Sequence, residues 1–221
     1  MPPATRVGWY RPDNTRDLRH PRPDPRLVDE LRSISGLSSS VSDVLDRLGY
    51  HLSVPASSLG PAGQAAHAQV VVGRVLTIRY LPLRATPEPE DEHGRLAHGT
   101  VFDMAGPGDV LVISAPADLA VSVLGGNALQ AAKAAGLAGV IVDGYVRDID
   151  ELNTVGLPVW ASAVTPVSGR GRLEAVEING PIQVGQVHVE PGDVAVADLS
   201  GISFIPADAF REVARRLLAH D

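Results

Sequence analysis

Between residues 109 and 163 the chain alternates apolar runs of strand length with one helical run, and few folds accommodate that order. DVLVIS (109–114), GVIV (139–142) and PVWASA (158–163) are almost continuously apolar. NALQAAKAAG (127–136) lies between the first two, and its small residues let a helix axis approach its neighbours closely. Strands apolar on both faces need cover on both, and a strand–helix–strand order implies a right-handed crossover between parallel strands. The expected class is therefore α/β, with helices layered on a parallel sheet.

The flanks add elements to this centre. Residues 27–35 read as a helix, and so do Val41 to Leu48, where Ser40 and Asp43 have capping-box spacing and Gly49 suits a left-handed C-terminal cap. The β-branched run 69–81 reads as a long strand. Residues 84–99 are acidic and proline-rich and read as a loop, either a solvated excursion or a lid. Residues 171–198 read as short strands joined by Asn-Gly, Val-Gly and Pro-Gly turns, with Asn179-Gly180 the strongest hairpin signal. A last helix is expected from Ala207 to Ala219. Residues 1–26 are rich in Pro and Arg and read as an extended or disordered arm before a single domain over 27–221. One short repeat, Pro107-Gly108-Asp109-Val110 and Pro191-Gly192-Asp193-Val194, reads as the same Pro-Gly turn feeding a buried strand twice.

Composition excludes several chemistries. Aromatic residues are 4% of the chain, so the core is built from Val, Ile, Leu and Ala. The chain has no cysteine, which removes disulfides, thiolate metal sites and Cys nucleophiles. A net charge of -7 argues against a nucleic-acid partner. No apolar run approaches the roughly 18 residues of a membrane span, and the N-terminus has no apolar leader segment; no membrane partner and a cytoplasmic location are expected. The histidines show no zinc spacing, and His93 and His98 are expected in solvated loop. No G-x-S-x-G motif supports a serine nucleophile.

Two motifs carry chemistry. Gly125-Gly126-Asn127-Ala128 lies between a strand and a helix, with Asn127 placed as an N-cap. It reads either as a plain turn or as a carboxylate site made of helix N-terminal amides. Arg147-Asp148 follows the next strand, so in a parallel sheet it emerges at the same edge. Arg147 offers a planar fork for a carboxylate and Asp148 a hard oxygen ligand for Mg²⁺ or Mn²⁺. The plainer alternative is that Asp148, Asp150 and Glu151 decorate a helix start, with Arg147 paired to one of them. Taken together, the two motifs make a set able to hold a small 2-oxo acid by its carboxylate and carbonyl.

The run GGNALQAAKAAGLAGVIVDGYVRD resembles the signature of RraA-like proteins and 4-hydroxy-4-methyl-2-oxoglutarate aldolases. SDVLDRLG (42–49), GRVLTI (73–78) and PGDVAVADLSGISFIP (191–206) resemble flanking segments of the same family, so the likeness runs from about residue 37 to 218. The resemblance implies a layered α/β/α sandwich of the swivelling β/β/α kind. It implies a homotrimer or a dimer of trimers. It implies that Arg147 and Asp148 are catalytic, with Arg147 holding substrate, Asp148 the divalent metal, and the amides of Asn127 and Ala128 the pyruvoyl carboxylate. The implied reactions are retro-aldol cleavage to pyruvate and decarboxylation of oxaloacetate, both through a pyruvate enolate. Aldolase members often carry an acid where this chain has Gly126, and they use a C-terminal glutamate, for which Glu212 is the nearest counterpart here. These departures leave open a simple decarboxylase and a pathway-specific enzyme altered by the 84–98 loop. A non-catalytic regulator of an RNA-processing enzyme also remains open.

Overall fold

A computed structural model describes residues 10–17, 20–85 and 95–219. It opens with strand β1 (Asn14–Thr15), helices α1 (Pro25–Arg32) and α2 (Leu37–Arg47), and strands β2 (Ser53–Pro55) and β3 (Gly60–Pro61). Helix α3 (Gln64–Ala68) leads into the long strand β4 (Val71–Pro82). Helix α4 (His98–Met104), strands β5 (Val110–Ser114) and β6 (Ser122–Leu124), and helix α5 (Gly126–Ala134) follow. Then come β7 (Gly139–Val146), α6 (Ile149–Val155) and β8 (Val159–Val164). The remainder holds β9 (Leu173–Ile178), β10 (Ile182–Val184), β11 (Val187–Val189), β12 (Val194–Ala197), β13 (Gly201–Ile205) and α7 (Phe210–Leu218).

The apolar runs make the expected parallel centre: β4, β5, β7 and β8 are parallel neighbours in that order, and β6 adds in parallel to the end of β7. Strand β4 is long enough to serve two antiparallel partners. Val71 to Arg74 pair with β12, and Ile78 to Pro82 pair with β9. Beyond β12 the sheet continues antiparallel through β13 to β2. One core packs α4, α5 and α6 on the parallel strands. A second places the separate β10–β11 hairpin against residues of the other face, including Val110, Val112, Ile141 and Trp160. A third gathers α1, α2 and α7 over β12 and β13. The molecule is thus a mixed α/β fold with helices, a large sheet and a small second sheet in layers. Among the described residues no helix is long and apolar enough to cross a membrane.

Several local expectations are corrected. Helix α2 starts at Leu37 behind a left-handed Gly36, so Ser40 lies inside it and caps nothing. Asn179-Gly180 does not close a hairpin. Asn179 is left-handed (φ 52°), and the turn carries the chain from β9 to β10, which pairs instead with β11 across Gly185. The 84–99 stretch is not all loop, because α4 begins at His98; residues 86–94 lie outside the described residues.

The described part of the arm is extended and built into the domain rather than disordered, and α1 begins within it at Pro25. Strand β1 pairs in parallel with β9, and the Tyr10 N–H donates to the Leu96 carbonyl at 3.2 Å. Arg22 donates two hydrogen bonds to the fully buried Asp109, at 3.0 and 2.9 Å.

Asp109 also explains the Pro-Gly-Asp repeat. Its carboxylate accepts the Gly106 N–H at 2.9 Å, and Asp193 accepts the Glu190 N–H at 3.0 Å, each three residues back. Gly108 (φ 83°) and Gly192 (φ 97°) supply the left-handed step between. The aspartates close the turns, so the repeat needs no duplication to explain it.

At Asp193 burial dominates and pushes the pKa up to about 6. A pKa raised in the folded state means the folded protein binds more protons than the unfolded chain between about pH 4 and 6. Stability contributed there is full below pH 4 and lost as pH rises through 6, at most about 2–3 kcal/mol. Asp193→Asn is expected to flatten the fall in melting temperature between pH 4 and 7. An unchanged slope would show that Asp193 does not set it.

Candidate functional site

Strands β6 and β7 run side by side and parallel, with Ser122 opposite Tyr145 and Leu124 opposite Val146. The residues that follow them, Gly125 and Arg147, therefore leave the sheet at the same carboxyl edge, where ligands of parallel sheets gather. The Arg147 N–H donates to the Leu124 carbonyl at 3.0 Å and ties the two exits together. Gly125 lets the second motif close over the first. A Cβ there would stand 2.5 Å from Asp148 Oδ2 and 3.0 Å from Arg147 Nε.

Asp148 is left-handed (φ 60°, ψ 49°), a region that Asp and Asn enter more readily than other residues with a side chain. That turn aims its carboxylate back at the start of α5. Oδ2 accepts the Gly126 N–H at 3.2 Å and lies 3.4 Å from Arg147 Nε.

These groups line one cavity of about 370 Å³, with Gly125, Asn127 and Ala128 from the first motif and Arg147 and Asp148 from the second. The side chains of Arg147 and Asp148 are 37% and 36% exposed, so an anion and a cation can reach them. Gly126 is not part of the wall, and its N–H is already given to Asp148. Asn127 is the second residue of α5, not its cap. Gly125 holds the cap position and no side chain caps the helix. The first intrahelical bond is Leu129 N–H to the Gly125 carbonyl, which leaves the Asn127 and Ala128 amides at the positive end of the helix.

Among the described residues no three His, Asp or Glu side chains form a closed metal cage. The half-exposed Asp148 carboxylate suits a hard cation that keeps most of its water, as Mg²⁺ does. A second carboxylate is near. A side chain at residue 126 would overlap Glu151, which reaches over from α6. The space that an acid at 126 would fill thus holds an acid from 151. Neither Glu151 nor Glu212 lines this cavity. On α7 Glu212 pairs with Arg215 at 2.8 Å and Arg216 at 2.7 Å, and those two hydrogen bonds hold its pKa down to about 2.

Residues 38–203, most of the chain and the whole of the site, match the family model described as RraA-like, Aldolase/RraA. The chain belongs to the RraA-like family. Over 106 residues it is 36% identical to the 4-hydroxy-4-methyl-2-oxoglutarate aldolase of Thermus thermophilus, covering 48% of this chain and 64% of that one. Over 197 residues, 88% of this chain, it is 27% identical to Protein DlpA of Legionella pneumophila, of which it spans 30%. The matched stretch thus spans less than two thirds of these curated relatives. Among solved structures it resembles Streptomyces coelicolor RraAS2, an unusual member of the RNase ES inhibitor RraA protein family. That likeness has a TM-score of 0.76 and 28% identity, over 90% of this chain and 94% of that one. The RNA-processing inhibitor RraA from Thermus thermophilus is also similar, with a TM-score of 0.57 and 29% identity over 75% and 92%.

The RraA-like cavity has a further wall that sequence reasoning missed. Ser122, His98, Ser168 and Arg170 line it beside Arg147. Arg170 and Ser168 lie in a Gly-rich loop after β8, and a polar loop at the carboxyl end of a parallel strand was the signal available. His98 contradicts the solvated-loop expectation: it is 8% exposed, the first residue of α4, and tilted against Phe102 at 5.8 Å between ring centres. The Tyr80 hydroxyl accepts the Ala97 N–H at 3.0 Å and pins that helix start. Burial, with the positive charge of Arg170 adding to it, pushes the His98 pKa down to about 4, so the ring is neutral near pH 7.

Proposed function

We propose that this RraA-like protein is a divalent-metal-dependent lyase acting on a small 2-oxo acid. The reactions are retro-aldol cleavage to pyruvate, decarboxylation of oxaloacetate, or both. The observation that carries the reading is the single cavity lined by Arg147, Asp148 and the α5 start. The Asn127 and Ala128 amides bind the substrate carboxylate, and the Arg147 guanidinium binds and stabilises the oxygen that becomes an enolate. Asp148 would hold Mg²⁺ or Mn²⁺, which would supply Lewis acidity when bound. The aldolase name of the Thermus relative supports a lyase at family level.

Enamine chemistry has no support here. The chain's single lysine, Lys133, lines a different cavity and donates to the Val155 carbonyl at 2.5 Å. Borohydride added with pyruvate is therefore expected to trap no covalent adduct, as read by intact mass. A mass gain matching reduced pyruvate would replace the metal reading with a Schiff-base one. The direct test is pyruvate release from oxaloacetate and from 4-hydroxy-2-oxoglutarate, with Mg²⁺ or Mn²⁺ and then with chelator. Metal-dependent release supports the proposal, and none above background overturns it.

A second reading is favoured by the Streptomyces structure, whose family is named for ribonuclease inhibition. On that reading the chain docks on an RNA-processing enzyme and turns nothing over. Inhibition of such an enzyme by Asp148→Asn protein as strong as by wild type, with no pyruvate from either substrate, would select it.

A further inference from the structure

The cavity that holds the Arg147–Asp148 pair contains a further polar group with no assigned use. His98 lines the cavity, is nearly fully buried, and among the described residues its Nδ1 has no hydrogen-bond partner. Buried polar atoms are nearly always paired, so an orphan closed off from water asks for a tautomer that explains it. A bare ring nitrogen without a donor costs less than an N–H without an acceptor, because orphaned buried N–H groups are the rarer kind. The proton of the neutral ring therefore belongs on Nε2, leaving Nδ1 as the unpaired lone pair. Burial first of all keeps the ring uncharged, and its surroundings agree. Arg170 is the cation acting on it, Phe102 packs on its ring, and Arg147 and Asp148 share the cavity.

We infer that His98 is the specificity residue of this cavity, its Nε2–H donating to the uncharged tail oxygen of a 4-hydroxy-2-oxo acid. The inference rests on the 2-oxo acid reading proposed above. The chemistry of the wall divides the substrate. The arginine and the α5 amides take the charged end. A neutral donor suits an oxygen that is a hydroxyl in the aldol and a carbonyl in the cleaved product, because both accept a hydrogen bond. Decarboxylation of oxaloacetate gains nothing from that donor, since its tail carboxylate must lose charge as carbon dioxide leaves.

The test compares pyruvate release from 4-hydroxy-2-oxoglutarate and from oxaloacetate by metal-loaded wild type, His98→Phe and His98→Gln. Phenylalanine keeps the ring packing and removes the donor, whereas glutamine keeps a donor. His98→Phe is expected to lower kcat/KM for 4-hydroxy-2-oxoglutarate by about tenfold to a hundredfold. It should leave oxaloacetate within about twofold, and His98→Gln should recover part of the loss. Nitrogen-15 shifts of wild-type protein should show the neutral ring protonated at Nε2. An equal fall on both substrates, no fall on either, or a ring protonated at Nδ1 would overturn the inference while leaving the lyase reading intact. Wild-type protein that releases pyruvate from neither substrate overturns the lyase reading, and the assignment of His98 falls with it. If His98→Phe melts early, the glutamine variant and the tautomer measurement decide.

Discussion

Asp148→Asn lowers pyruvate release by about a hundredfold to a thousandfold and leaves the protein folded. The choice of asparagine follows from the backbone. Residue 148 is left-handed (φ 60°), and asparagine adopts that conformation as readily as aspartate. Its amide oxygen can still accept the Gly126 N–H that Asp148 Oδ2 accepts at 3.2 Å. What is lost is the negative charge beside Arg147 and the hard ligand for the cation. The side chain is 36% exposed, so the melting temperature should stay within about 2 °C. Alanine is the poorer probe, because it removes the hydrogen bond and strains the turn together with the charge. Full activity in the asparagine variant would remove Asp148 from any metal role.

The largest stability effect is expected at Asp109, far from the chemistry. Its carboxylate is fully buried and accepts hydrogen bonds from Arg22, Arg74 and the Gly106 N–H. The Arg74 side chain is itself only 7% exposed. Asp109→Ala leaves that guanidinium buried without its counter-charge, and breaking such a pair from one side costs about 3–5 kcal/mol. It also cuts the two bonds that hold Arg22 and loses the acceptor that closes the Pro107-Gly108 turn. Urea titration would measure the change. A loss below about 1 kcal/mol would show that Arg74 finds another partner or reaches water. Asp109→Ala with Arg74→Met should recover part of the loss, because the stranded charge is then gone.

The parallel centre was legible because continuous apolar runs have one common solution, a sheet covered on both faces. The shared exit of Gly125 and Arg147 followed from that, since parallel neighbours present the same ends. Local capping was less legible. Ser40 and Asp43 have the spacing of a cap, yet tertiary packing starts α2 at Leu37, four residues before the expected Val41. Asn127 looks like a cap and sits one step inside the helix, because Gly125 provides the extended residue. Asn179-Gly180 looks like a hairpin but serves a change of sheet, which no local signal encodes. His98 was hidden for a physical reason too. The segment HGTVFDM contains Gly and Thr, poor helix formers, and its helix exists because buried Tyr80 and the sheet hold it. Glu151 could not be placed over Gly126 from sequence, since the contact depends on how α6 meets α5.

The central claim is that one small anion and one cation share the hollow between the α5 amides and the Arg147–Asp148 pair. Crystals grown with Mn²⁺ and oxalate, measured for the anomalous signal of manganese, test it most directly. A manganese peak is expected beside the Asp148 carboxylate, with oxalate between it, Arg147 and the amides of Asn127 and Ala128. A saturated crystal with manganese only at other carboxylates, and oxalate absent from the α5 start, would contradict that claim.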